Sequence, residues 1–188
     1  MSTPAGWTEL ADRVRACTAC SELVAARTQV VVGDAPDGVR LALVGEAPGA
    51  QEDRTGHPFV GKAGRLLDVL LDEAGIDRAQ VAVLNAIKCR PPGNRAPRSA
   101  ELSRCRGWLE QQLTLIAPEL VLALGGTALG WFYGPGARIG AHRGRWSQVL
   151  GRRVVASYHP SAALRFGPAG APMAALREDL ALVARLLA

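Results

Sequence analysis

Apolar residues along the chain fall into two alternating patterns. Four short, nearly unbroken runs, 39–45 (VRLALVG), 81–87 (VAVLNAI), 120–126 (LVLALGG) and 152–161 (RRVVASYHPS), are bounded by Gly, Pro or polar clusters and predict buried strands. Each is followed by a segment of helical character. In 61–75 the residues Leu66, Leu67, Leu70, Leu71 and Ala74 recur at three- and four-residue intervals. The stretch 99–116 begins with Ser99 as a helix cap, TALGWFYG follows the third run, and a last helix is expected from near Pro172 to Leu187. A further helix is predicted over about 7–15. Four strand–helix alternations imply an α/β fold with a parallel sheet covered on both faces. Ligands of such sheets bind beyond the carboxyl ends of the strands, which directs attention to 45–61, 85–98, 125–127 and 158–165.

Length and composition add bounds. With 188 residues, 48% of them apolar, the chain suits one domain over 1–188. There is no internal repeat, and the Pro/Gly stretches 89–98 and 166–172 are loops, not linkers. A net charge of +5 fits a polyanionic partner such as nucleic acid. It fits a compositional habit equally well, because Lys62 and Lys88 are the only lysines beside many arginines. No run reaches the roughly 18 apolar residues of a membrane span, and the amino terminus has no signal-peptide core. A cytoplasmic protein that needs no membrane is expected. In that reducing compartment the four cysteines are expected as core thiols or ligands, not disulfides.

The first strand runs into LVGEAPGAQED (43–53), a tight turn with three carboxylates and no Lys or Arg. It has the wrong charge for a phosphate cradle. Downstream, Gly56 to Lys62 satisfies Gly-x4-Gly-Lys, but Ala63 stands where a P-loop needs a hydroxyl for Mg²⁺, Pro58 removes a donor, and no strand leads directly into it. The same segment puts Phe59 in a strand-end loop, where an exposed ring would want a ligand to stack on. Cys17 and Cys20 form a Cys-x2-Cys pair, Cys89 lies in the Pro-rich loop and Cys105 in the helix after it. Four thiolates suffice for one Zn²⁺ or one [4Fe–4S] cluster, and the spacing does not choose between them.

GEAPGAQED, PFVGKAG, NAIKCRPPGNR, the distal Cys105 and YHPSAALR occur in this order behind the Cys-x2-Cys pair. Together they resemble family 4, the iron–sulfur class, of the uracil-DNA glycosylases, over about residues 17–165. The resemblance implies a three-layer α/β/α sandwich with a central, mainly parallel four-stranded sheet. It implies that Cys17, Cys20, Cys89 and Cys105 bind a [4Fe–4S] cluster, and that a monomer acts on uracil-containing DNA. The implied activity is hydrolysis of the N-glycosidic bond in base excision repair. The related X-type proteins trap uracil-DNA covalently through a His in an insertion after the second strand. Here the corresponding loop, NAIKCRPPGNRAPR, holds neither the insertion nor a His. A non-turnover or covalent uracil binder is the rival expectation.

Base removal requires extrusion of the nucleotide into a pocket. Phe59 is the expected stacking platform, as in the family. The Asn85 amide can accept from uracil N3–H and donate to O4, an order that cytosine reverses. His159 is expected to donate to uracil O2 as negative charge develops on the base. Glu46 is the first choice to orient water and face the cationic sugar, with Glu52 as the second pocket carboxylate and Asp53 as a cap. Which of the two glutamates serves as base stays open, because Ala47 stands where other families have Asn or Asp. Gly45, Ala47 and Gly49 would shape the substrate loop. Ser161 and Arg165 are expected backbone contacts, with Arg90 and Arg95 as further candidates.

Overall fold

The computed structural model describes residues 2–188. In chain order its elements are α1 (Trp7–Arg15), α2 (Ser21–Ala26), β1 (Leu41–Gly45), α3 (Ala50–Thr55), α4 (Lys62–Glu73), β2 (Val81–Asn85) and α5 (Ser99–Ile116). There follow β3 (Leu120–Leu124), α6 (Gly126–Tyr133), α7 (Ile139–His142), β4 (Trp146–Val149), β5 (Arg152–Ser157), α8 (Pro160–Phe166) and α9 (Ala171–Leu187). The sheet order is β2-β1-β3-β5-β4. The first four of these strands are mutually parallel, and β4 pairs antiparallel with β5 at the edge.

Strands β1, β2 and β3 are buried along their whole length, as a sheet covered on both faces requires. Alternate side chains enter two cores. Val44, Leu84, Ala123 and Val154 pack with α1, α5 and α6 on one face. Leu43, Val83, Leu122 and Val155 pack with α4, α8 and α9 on the other. This is the expected α/β/α sandwich, with five strands in place of four. The additional β4 joins β5 through Leu150 and Gly151, both at positive φ, as a two-residue hairpin turn of type I′ requires. Its WSQV is only half-buried and carries no apolar run, so the pattern that marks the central strands is missing.

Register places the site. Gly45 lies opposite Asn85, and Leu124 opposite Ser157. Glu46, Asn85, Gly125 and His159 therefore emerge along one edge of the sheet, at the carboxyl ends of its four parallel strands. The expected strands over 81–87 and 152–161 end earlier, at Asn85 and Ser157, because the chain turns there to build this edge. Ala86 and Ile87 remain buried, donating their N–H groups to the carbonyls of Gly45 (2.9 Å) and Glu46 (3.1 Å).

Candidate active site

A cavity of ≈ 350 Å³ opens at this edge, lined by Glu46, Ala47, Gly49, Glu52, Phe59, Asn85, His159, Ser161 and Arg165 together with the loop residues Pro91, Asn94 and Arg95. Among the expected pocket residues Gly45 alone does not line it, yet it sets its width. A Cβ on Gly45 would stand 2.6 Å from both Asn85 Oδ1 and the Phe59 ring. A larger groove of ≈ 640 Å³ lies at the opposite end of the strands, around Arg40, Gln80 and Leu187, and includes no buried, unpartnered polar side-chain atom.

Asn85 ends β2 with a side chain that is 3% exposed, and its Oδ1 has no hydrogen-bond partner among the described residues. A buried carbonyl oxygen without a partner is costly, and its place in a ligand-sized cavity marks it as an acceptor kept for a ligand donor. Phe59 differs from expectation, since its ring is 6% exposed and not open to solvent. It packs against His159, with ring centroids 5.5 Å apart, and lies directly under the position a Gly45 side chain would occupy. Its φ of 55° is unusual for an aromatic residue. The strain is held by α4, where a Cβ on Gly64 would fall 1.7 Å from the Phe59 carbonyl oxygen.

His159 caps α8. Its Nδ1 accepts the Ser161 backbone N–H at 3.1 Å and lies 2.8 Å from Ser161 Oγ. A nitrogen accepting a backbone donor carries no hydrogen, so the ring proton is assigned to Nε2. One ring edge is open to the pocket, yet the protein around it disfavours charge enough to lower its pKa to about 4, with Glu52 opposing the shift. Gly125, at φ 90°, leaves room for this ring, since a Cβ there would approach His159 Cβ to 2.9 Å.

The two glutamates have different surroundings. Glu52 Oε1 accepts from the backbone N–H groups of Val60 (2.9 Å) and Gly61 (2.8 Å), and Oε2 from that of Gly49 (3.1 Å). The donors at the start of α4, which a P-loop would offer to phosphate, are thus occupied by the chain's own carboxylate. Glu46 Oε2 instead accepts from Thr127 Oγ1 across the strand end. Asp53, expected as a cap, lies inside α3 and ties down the Thr28 and Gln29 backbone. Ser161 and Arg165 stand exposed on α8, beside the exposed apolar side chains of Leu164 and Phe166. Arg95 is not a free cation, because it pairs with Glu101 (2.6 Å) and Glu22 (3.2 Å). Arg95 in turn pulls the Glu101 carboxyl down to about 2. Arg90 donates to Asn94 Oδ1 at 2.7 Å.

Cys17, Cys20, Cys89 and Cys105 carry free thiols and line one small cavity behind the pocket, with Arg27, Lys88 and Trp108 in its wall. No three His, Cys, Asp or Glu side chains among the described residues converge as the ligands of a single metal ion would. Arg27 Nη1 donates to Cys89 Sγ at 2.9 Å. Burial raises the Cys89 and Cys105 thiols, Cys105 to about 11, while Arg27 and Lys88 respectively favour their thiolates. Two cations beside four sulfurs favour thiolates able to ligate a metal centre, and they are out of place among inert core thiols.

Thr127, Arg27, Lys88, Gly64 and Gly125 were not singled out as site residues from the sequence. Thr127 and Gly125 fall in the 125–127 strand-end window, which was a usable signal. Lys88 falls in the 85–98 window, Gly64 acts through the close approach of α4 to the Phe59 carbonyl, and Arg27 acts on Cys89, 62 positions away.

A family model described as "Uracil DNA glycosylase superfamily" matches residues 32–181. The Type-4 uracil-DNA glycosylase of Thermotoga maritima is 46% identical over 158 residues, covering 83% of this chain and 82% of its own. That of Sulfurisphaera tokodaii is 34% identical over 168 residues, covering 83% and 74%. The Type-5 uracil-DNA glycosylase of Pyrobaculum aerophilum is 32% identical over 196 residues, covering 85% and 84%. By the family match, and by the higher identity to a Type-4 relative, the chain belongs to the uracil-DNA glycosylase superfamily, in its type-4 branch.

Proposed function

We propose that this protein removes uracil from DNA by hydrolysing the N-glycosidic bond and leaves an abasic site for base excision repair. The observation that carries this reading is the buried, unpartnered Oδ1 of Asn85 beside Phe59 and His159. In the extruded nucleotide uracil N3–H donates to that oxygen, and the Asn85 N–H donates to O4. Cytosine brings an unprotonated N3 to the same oxygen and is rejected. The base packs on Phe59. Exposed Leu164 and Phe166 fit the gap left in the stack, and Arg165 the adjoining phosphates.

As the N1–C1′ bond breaks, positive charge grows on the sugar and negative charge on the base. Neutral His159 donates from Nε2–H to uracil O2. Glu46, held through Oε2 by Thr127, directs Oε1 to the water that adds to C1′ and faces the cationic sugar. Glu52, with three backbone N–H groups on its carboxylate, anchors the loop and adds negative charge near His159. Thr127→Val is expected to lower kcat about tenfold with KM little changed, the effect of losing one hydrogen bond to a charged group. Thr127→Ser should restore it, and a wild-type kcat in the Val variant would remove Thr127 from the mechanism.

Cys17, Cys20, Cys89 and Cys105 would hold a [4Fe–4S] cluster, which would pin the amino-terminal segment to the loop after β2 and leave the hydrolysis to the pocket residues. Brown protein whose visible absorption bleaches on reduction supports this assignment, and colourless zinc protein refutes it. The activity is tested with oligonucleotides carrying uracil, hypoxanthine, xanthine or thymine. Strands that become alkali-labile at uracil, with free base released, are expected. A denaturation-resistant adduct would favour the covalent binder.

A further inference from the structure

Lys88 is among the largest fully buried side chains of the protein and follows two buried apolar residues, Ala86 and Ile87. Its ammonium has three N–H donors. One of them reaches the backbone carbonyl oxygen of Asn85 at 2.8 Å. Lys88 lines the cavity that holds all four cysteines, and no Asp or Glu among the described residues lines it beside them, so the sulfurs are the only groups in that wall able to carry negative charge. A buried ammonium without an anion is less stable than a packed methionine of the same length, so its presence here is explained by thiolates. Arg27 meets the same quartet on Cys89.

The same ammonium meets the pocket wall at the Asn85 carbonyl. The segment 85–89 is fixed by Ala86 N–H on the Gly45 carbonyl, Ile87 N–H on the Glu46 carbonyl and Val31 N–H on the Lys88 carbonyl. The Asn85 carbonyl is the point of that wall which Lys88 secures, on the same residue as the unpartnered side-chain oxygen. We propose that Lys88 is a positioning residue linking the two sites: the thiolate face of the cysteine cavity holds its ammonium, and the ammonium fixes the Asn85 peptide and thereby the amide that reads the base. This rests on the reading that the quartet holds a cluster and that Asn85 recognises uracil.

The test compares iron-loaded, full-length wild type with Lys88→Met and Lys88→Arg. Iron content, cluster reduction potential and affinity are measured, the last for an oligonucleotide with one non-cleavable 2′-fluoro-deoxyuridine against its deoxycytidine counterpart. Lys88→Met is expected to have a more negative potential, because a nearby positive charge is lost. Its affinity for the fluorinated uracil strand should fall about tenfold, with that for the cytosine strand unchanged. Lys88→Arg keeps the charge and should keep the potential. A change in only one of the two readouts, or in neither, overturns the link. Iron lost from Lys88→Met but retained by Lys88→Arg supports it, and iron lost from both shows that shape, not charge, matters and overturns it. Wild type purified without iron would instead defeat the cluster reading, and this proposal with it.

Discussion

Replacing His159 by Ala is expected to lower kcat for uracil release by about 10²–10³, the usual effect of removing one preorganised donor from a developing anion. KM should change little, because the hydrogen bond to O2 strengthens only as the base departs. The pH dependence distinguishes this role from simple packing. With its pKa lowered to about 4 by burial, His159 stays neutral well below the ordinary histidine value of 6.5. The neutral ring keeps Nδ1 as acceptor for the Ser161 N–H and Nε2–H as donor to the base. Wild-type kcat/KM should therefore show no loss attributable to histidine near pH 6.5, with that acid limb appearing only towards about pH 4. Stability follows the same sign. Below about pH 6.5 the unfolded chain takes up a proton that the folded one refuses, so this contribution is complete above that pH and is lost as pH falls towards 4. A His159→Ala enzyme with wild-type kcat would remove the residue from catalysis.

Asn85→Asp is expected to lower kcat/KM for uracil by on the order of 10⁴, the scale on which a site built around a buried hydrogen bond rejects the wrong partner. The carboxylate can still accept from N3–H, but it presents a second oxygen to O4 where the amide presented a donor. That charge would be buried beside Phe59, in a wall with little room for adjustment. In its protonated form the new side chain would donate to cytosine N3 and accept from its amino group. A faint cytosine activity is therefore expected alongside the loss. Excision rates on matched uracil and cytosine strands check both halves, and an unchanged uracil rate would separate Asn85 from recognition.

Much of this arrangement was legible in the residue pattern, for identifiable reasons. Helices α1 and α5 have the expected bounds over 7–15 and 99–116, although Ser99, expected as the cap, is the first residue of α5 and Arg98 stands at the cap position. The central strands are continuous apolar runs because both their faces are covered. Edge strand β4 is half-exposed and borrows its stability from β5, so it carried no such mark. Asn85, His159 and Glu46 could be found because they follow strand ends, where topology alone directs function. Burial of the Phe59 ring could not be read, since it depends on the missing side chains of Gly45 and Gly64. Nor could the pairing of Arg95 with Glu22, 73 positions away. The division of labour between Glu46 and Glu52 emerges only from their partners, one hydroxyl against three backbone amides. The acidic turn is therefore divided: Glu52 fills the anion site at the start of α4, and Glu46, which lines the pocket, is the carboxylate proposed to serve the substrate.

The central claim is that the free oxygen of Asn85 reads the N3–H of the extruded base. It is tested most directly on the unaltered protein, by comparing single-turnover excision of uracil and 3-methyluracil from otherwise identical strands. The methyl group removes that donor and leaves the N-glycosidic bond in place. Rapid, alkali-revealed excision of uracil is expected, with 3-methyluracil slower by about 10³ or more. Equal rates for the two bases would contradict the account.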